Sequence, residues 1–338
     1  MATEPSEIAR RGHQYYMWLR NEDTYPGVAE IYVDRVQSAE PTQTIRQDKA
    51  YELGRKDPVG ASEDAPDFRI TWEENWAKWE SGLYQAGKDP GSDTSFNAGD
   101  MVDYDGIDIY LATSNDAGTF THEYVFTDSA LAEMAMTWRV GQPITTRYVR
   151  EAAGGRIYRQ GSLTHTSRGV LDDASPGSVN PKDARVFIYT SGCTPADADR
   201  VYRLQGFDIT VRYPLTSVRE IGRRAKVGVL SESPEISCTM DVQPGDDQPI
   251  DRFFQDSGTY VDLTSLQNKN ALIRIYDPDE TEASSVLGAV SLEGLRTSGT
   301  TPIRAQVRGM ATSRVSLEVV DAETTDSGGM ICYVGDMA

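Results

Sequence analysis

Cysteine, histidine and lysine are scarce in this 338-residue chain, and each shortage closes off a class of chemistry. The three cysteines, Cys193, Cys238 and Cys332, are odd in number and far apart. They supply neither a disulfide framework nor a C-x-x-C metal pair, and they suit folding in a reducing compartment. His13, His122 and His165 stand alone, with no cysteine or histidine at metal-ligand spacing. The G-x-x-x-x-G-K-[ST], H-E-x-x-H and G-x-S-x-G signatures are all missing. The expectation is a non-enzyme with no catalytic residue, cofactor or metal. No apolar run reaches 18 residues, and MATEPSEIARRGHQ lacks the apolar stretch of a signal peptide. That pattern predicts a soluble protein made in the cytoplasm.

Acid is what the chain has in excess. Asp and Glu number 52 against 33 Lys and Arg, a net charge of −19. Only Lys49, Lys56, Lys78, Lys88, Lys182, Lys226 and Lys269 are lysines, so arginine supplies 26 of the bases. Self-repulsion of this size destabilises a fold in dilute salt, and the Debye length of about 3 Å at 1 M removes most of it. The composition therefore reads as adaptation to molar salt. A chain so acidic is a poor grip for phosphate backbones, although it can surround DNA without holding it. The acids Asp100, Asp103, Asp105 and Asp108 fail the calcium-loop pattern. Pairs such as Asp172 and Asp173 carry no weight for glycoside hydrolysis in a chain with 52 carboxylates.

One block is written twice. Residues 51–71, YELGRKDPVGASEDAPDFRIT, align without a gap on 219–239, REIGRRAKVGVLSESPEISCT, with seven identities: Glu52/Glu220, Gly54/Gly222, Arg55/Arg223, Val59/Val227, Gly60/Gly228, Pro66/Pro234 and Thr71/Thr239. Chance would give roughly one or two. Shorter matches keep a similar offset: Asp34-Arg35-Val36 with Asp199-Arg200-Val201, Thr44-Ile45-Arg46 with Thr210-Val211-Arg212, and Ile109-Tyr110 with Ile275-Tyr276. Two copies are too few for a solenoid, so the expectation is a tandem pair of similar domains, superposable over 30–150 and 186–321. Glycine at 54/222 and 60/228 reads as backbone freedom where a loop turns, and Pro66/Pro234 as a stiffener before the next strand. Glu52/Glu220 and Arg55/Arg223 fit either a local ion pair or a contact between subunits.

Short Val-, Ile-, Thr- and Tyr-rich runs between Gly, Pro, Asp and Ser clusters predict a mainly β protein of sandwich or barrel type, each domain with a short flanking helix. Strands are expected at 29–33, 42–46, 67–72, 106–111, 123–126, 144–149 and 185–189. In the second half they fall at 206–213, 235–242, 271–276, 288–292, 302–308 and 313–320. Helices are expected at 75–85 and 249–255, with further helical character at 6–21 and at 129–136 behind Asp128 as cap. The division is an amino-terminal segment (1–28), a first β domain (29–150), a connector (151–184), a second β domain (185–321) and a tail (322–338). Met330–Val334 in the tail is apolar enough to dock on a neighbour. Trp72, Trp76 and Trp79 would serve carbohydrate only as an exposed platform, and their spacing fits a core better.

At the repeated block the chain resembles the tail tube proteins of long-tailed double-stranded DNA viruses. The resembling runs are TIRQDKAYELGRKDPVGASEDAPDFRIT and ITVRYPLTSVREIGRRAKVGVLSESPEISCT, each a strand, a charged loop and a strand. The resemblance implies β domains assembled into rings whose inner strands close a barrel, with stacked rings making a conduit for the genome. A duplicated member would form a trimer with pseudo-sixfold symmetry, and its acidic lumen would let DNA slide through. It implies self-association, contacts with other tail proteins at the tube ends, and a subunit interface at Glu52, Gly54, Arg55, Gly60, Glu220, Gly222, Arg223 and Gly228. A baseplate, fibre or capsid-decorating protein is the neighbouring alternative.

Overall fold

The structure is a computed structural model. It describes residues 15–21, 30–45, 47–50, 60–63, 66–103, 106–114, 120–159, 179, 181–190, 193–196, 199–220, 226–243, 269–277, 286–297, 303–304, 312–320 and 329–335. The protein is mainly β. The first half contributes β1 (Tyr15–Asn21), β2 (Glu30–Tyr32), β3 (Val36–Thr44), β4 (Gln47–Ala50), β5 (Gly60–Glu63) and β6 (Asp67–Asn75). After them come helix α1 (Glu80–Gln85), β7 (Ser95–Asn97), helix α2 (Asp100–Asp103), β8 (Ile107–Ser114), β9 (Phe120–Arg139) and β10 (Thr145–Arg159). The second half adds β11 (Ala184–Thr190), β12 (Leu204–Arg212), β13 (Leu215–Val218), β14 (Gly228–Ser231) and β15 (Glu235–Val242). It closes with β16 (Lys269–Tyr276), β17 (Val286–Thr297), β18 (Ile303–Arg304), β19 (Thr312–Val319) and β20 (Met330–Val334).

Alternation makes these strands. In β15, Ile236, Cys238, Met240 and Val242 turn inward while Glu235 and Ser237 face out, the period of a sheet with one buried side. In β6 the inward series is Ile70, Trp72 and Glu74, with a carboxyl where the second half has Val242.

The halves share one pairing order. The first runs β3-β6-β10-β9-β8-β1, and the second runs β12-β15-β19-β17-β16-β11. Details coincide at a spacing of 168 residues. Arg35 and Arg203, just before β3 and β12, both adopt left-handed backbone, with φ of 57° and 60°. Gln37 Nε2 donates to the Arg35 carbonyl at 3.0 Å, and Gln205 Nε2 to the Arg203 carbonyl at 3.4 Å. Those carbonyls also accept from Asn75 N and Gln243 N. Each strand pair then carries a bulge one step in, at Val36/Ser38 and at Leu204/Gly206. The register therefore sets Arg35 against Arg203, not against Arg200 as the Asp-Arg-Val match suggested. It likewise sets Thr44 against Arg212.

One sheet runs through both halves because β9 is long enough to serve two neighbours along one edge. Phe120–Ser129 pairs with β8, Glu133–Arg139 pairs with β12, and β10 lines the opposite edge. Two irregularities bend β9 between these jobs. One lies opposite Ile107–Ile109, where Asp128 has φ 52°; the other leaves Ala132 without an opposite number on β10. The buried core is likewise continuous, from Met17, Trp72 and Trp79 through Trp138 and Phe207 to Val290 and Leu317.

Several local expectations fail for tertiary reasons. Residues 15–21 form a strand rather than the end of a helix, because β8 offers Ile107–Thr113 as a ladder. Residues 129–136 lie in β9, whose backbone bonds go to β10 and β12. Helix α1 occupies only Glu80–Gln85, since β6 continues to Asn75 and Trp76 N is taken by the Ile144 carbonyl. Strand β10 reaches Arg159, well into the segment read as connector. Met330–Val334 pairs inside the chain, with β17 and β7. The helix expected at 249–255 lies outside the described residues.

Candidate functional site

The chemistry of this molecule concentrates where the halves meet. At the end of β9, Arg139 donates through Nη1 to Asp241 and through Nη2 to Asp208. Asp241 also accepts Arg314 Nε at 2.7 Å and Arg314 Nη2 at 3.0 Å, and Thr239 Oγ1 donates to Asp208 at 3.3 Å. This ribbon of charge crosses β9, β12, β15 and β19. Hydrogen bonds from Arg314, with Arg139 beside them, hold the Asp241 carboxyl below the usual range, whereas burial raises that of Asp208. Gly206 stands opposite Arg139, and a Cβ there would sit 2.7 Å from Nη1. The missing side chain makes room for the guanidinium.

A second junction lies under hairpin β13–β14. The Lys226 side chain is fully buried, with Nζ 2.8 Å from Asp67 Oδ1 and in contact with Glu151 Oε1. Ser217 Oγ donates to Glu151 at 3.1 Å, and Arg219 Nη2 lies 3.4 Å from Asp67. The second half thus clasps the bases of β6 and β10 in the first through one of the chain's few lysines.

Beside the β9–β12 seam opens a cleft of about 510 Å³, lined by Trp138, Lys182, Arg185, Arg200, Arg203 and Phe207 among others. Its described lining includes four bases and no Ser, Cys, His, Asp or Glu. Arg185 and Arg200 lie over the rings of Tyr276 and Tyr202, at 4.7 and 5.1 Å.

Of the residues expected at an interface, Glu52, Gly54, Arg55, Gly222 and Arg223 lie outside the described residues. Gly60 opens β5 and Gly228 opens β14, so the two hairpins occupy matching places after β3 and β12. Glu220 is exposed just beyond β13. Gly228 is not there for backbone freedom: its φ is not in the left-handed region, and a Cβ would meet only Asp128 Oδ2 at 3.7 Å. Pro66 and Pro234 do stand immediately before β6 and β15.

Trp72, Trp76 and Trp79 are buried to 2% exposure or less and form no carbohydrate platform. Among the described residues, no group of His, Cys, Asp and Glu side chains is arranged to hold a metal ion, and no helix is long and apolar enough to cross a membrane. Cys193 is an exposed free thiol; burial pushes Cys238 up to about 12 and raises Cys332 as well, which makes both poor nucleophiles.

Sequence reading missed Arg139, Asp208, Asp241 and Lys226. Their only trace was the mismatch of Pro58 with Lys226 inside the repeated block, where one copy carries a cation and the other does not.

No family model matches the chain, and no curated protein matches it. Among solved structures, one described as "Cryo-EM structure of the anti-feeding prophage (AFP) baseplate, 6-fold symmetrised" is similar at 13% identity and a TM-score of 0.29. The match covers 41% of this chain and 89% of that chain, and a score this low establishes no shared fold.

Proposed function

We propose that this chain is a structural virion protein whose halves are copies of one β domain, and that three chains form a pseudo-hexameric ring of a viral tail tube. The observation that carries the reading is the joint between the halves. Two units of one strand order are already joined edge to edge, through β9 and β12, as successive members of a ring would be. Closure into a ring also removes the exposed sheet edges that a lone unit leaves open. The resemblance of the repeated block to tail tube proteins adds the trimer, the stacking of rings and the role as a conduit for genome delivery. The excess of acid suits a lumen through which viral DNA slides without being held. It also suits assembly in the cytoplasm of a salt-loving archaeal host, with other tail proteins binding the tube ends.

Negative-stain microscopy in molar salt tests this directly. Open-ended filaments built of threefold rings with sixfold outline are expected; closed particles would favour a capsid-decorating or fibre component, and dispersed monomers would remove the ring. The same preparation should lose filaments and unfold more readily as salt falls to about 0.15 M, where the Debye length returns to about 8 Å. Indifference of the unfolding midpoint to salt would count against the adaptation.

The repeated loops are assigned to contacts between rings, because both copies keep their length, two glycines and one arginine while other positions drift. Arg55→Glu combined with Arg223→Glu should leave folded single rings that no longer stack. Normal tubes from that variant would return these arginines to a local role.

A further inference from the structure

The joint inside the chain has a donor side and a receiving side, and the chain carries a second receiving side and a second free strand, with Pro58 in the place of Lys226. Inside, β9 receives β12 along its outer edge, and Asp208 with Asp241 receives Arg139 across the seam. Asp67 with Glu151 receives Lys226 from the hairpin that follows β12. Pairing register carries each position to the other half. Glu40 stands opposite Thr71 as Asp208 stands opposite Thr239. Glu73 lies between Ser38 and Arg147 as Asp241 lies between Gly206 and Arg314. Glu235 occupies the place of Asp67, and Glu318 that of Glu151.

These second positions are unfilled among the described residues. The outer edge of β3 and the outer edge of β18 have no strand beside them there. No described cation forms a salt bridge with Glu40, Glu73, Glu235 or Glu318, and Glu40, Glu235 and Glu318 are exposed. Strand β18 takes the place of the β9 residues that receive β12. Ile303 opposite Ser313 corresponds to Met136 opposite Thr146, and Arg304 opposite Thr312 corresponds to Thr137 opposite Thr145.

From this, and resting on the reading of the chain as a ring subunit, we infer that copies join through β3 of one chain and β18 of the next, in the register of β12 on β9. In that register Arg304 faces Glu40 of the neighbouring copy and Ile303 faces its Pro41. Opposite charges at that position favour the pairing. Hairpin β4–β5 of the neighbour then falls on Glu235 and Glu318, as β13–β14 falls on Asp67 and Glu151. Pro41 supplies no N–H, so the ladder has one potential donor fewer than β12 brings at Ile209; this also discourages β3 from pairing with unrelated edges.

Paired cysteines test the register. Residues directly opposite in an antiparallel pair lie about 4.5–5.5 Å apart at Cα, within reach of a disulfide. In a Cys193→Ser background, Glu40→Cys with Arg304→Cys is oxidised after assembly in molar salt and run on a denaturing, non-reducing gel. Thr137→Cys with Asp208→Cys, which are opposite inside the chain, is the control and should give a compact cross-linked monomer. The 40/304 pair should give covalent dimers and trimers and nothing larger, as a closed ring of three requires. If particles form and the control closes while 40/304 stays monomeric or closes within one chain, the joint lies elsewhere and the ring survives. If the parent forms no particles and neither dimers nor trimers appear, both the inferred joint and the ring reading fall.

Discussion

Replacing Arg150 by Met should destabilise the protein by about 2–4 kcal/mol, since three buried acceptors would lose the guanidinium and only the Ser129 carbonyl keeps another donor, in Gly106 N, at roughly 1–3 kcal/mol for each of the other two. Arg150 has no solvent exposure, yet it sits in β10 at the point where β9 changes partner. Its Nε donates to Ser129 Oγ at 3.0 Å, its Nη2 to the Ser129 carbonyl at 2.7 Å and its Nη1 to Gln85 Oε1 at 3.1 Å. Ser129 in turn donates to the Ile107 carbonyl, and its own carbonyl accepts Gly106 N at 3.2 Å. The guanidinium therefore fixes β8, β9, β10 and α1 at one point, beside the left-handed Asp128, whose N–H is held by Asp108 at 2.9 Å. Arg150→Lys should fall between the two, because a point charge cannot span three acceptors as a planar fork does. The measurement is denaturant unfolding in molar salt. A loss under about 1 kcal/mol for the Met variant would mean that the bend in β9 is held by its backbone alone.

Glu74→Gln should flatten the fall in stability of the parent protein between about pH 5 and pH 8. Burial pushes the Glu74 carboxyl up to about 8, against the lowering effect of hydrogen bonds with Ser81 and Tyr148. Ser81 Oγ donates to Oε1, and Tyr148 stacks on Trp72 with ring centroids 5.1 Å apart. In the unfolded chain the same carboxyl titrates near 4.3. Between those values the folded state binds the extra proton, so this group's contribution is complete below about pH 4 and declines as pH rises through 8. The slope approaches 1.4 kcal/mol per pH unit and amounts to a few kcal/mol across the window. Glutamine resembles the protonated acid and should leave stability nearly unchanged at pH 5 but raised at pH 8. Equal slopes in parent and variant would show that Glu74 is ionised in the fold.

How much of this was legible depended on whether the cause was local. Alternation in Glu235–Val242 and Asp67–Trp72 announced strands, and both are present, because one buried face is written into every second residue. Residues 15–21 and 129–136 carry aromatic, Ala, Leu and Met residues that suit a helix equally well, and a ladder waiting on a neighbouring strand decided the matter. Backbone conformation and pairing register set Arg35 beside Arg203, three residues from the Asp-Arg-Val match, and backbone conformation leaves no mark in a short identity.

The sequence alone determined the acidic surface, the want of a catalytic or metal-binding motif, the β class and the internal likeness of 51–71 to 219–239. These follow from composition, from period and from comparison along one line of text. Only the tertiary structure decided that β9 serves two neighbours, that Arg139 meets Asp208 and Asp241, and that Lys226 meets Asp67 and Glu151. Those partners are separated by 69 to 159 positions, and no local preference of either one specifies the other. Their meeting is set by which strand edge is left open once the inward faces have packed, a property of the whole sheet.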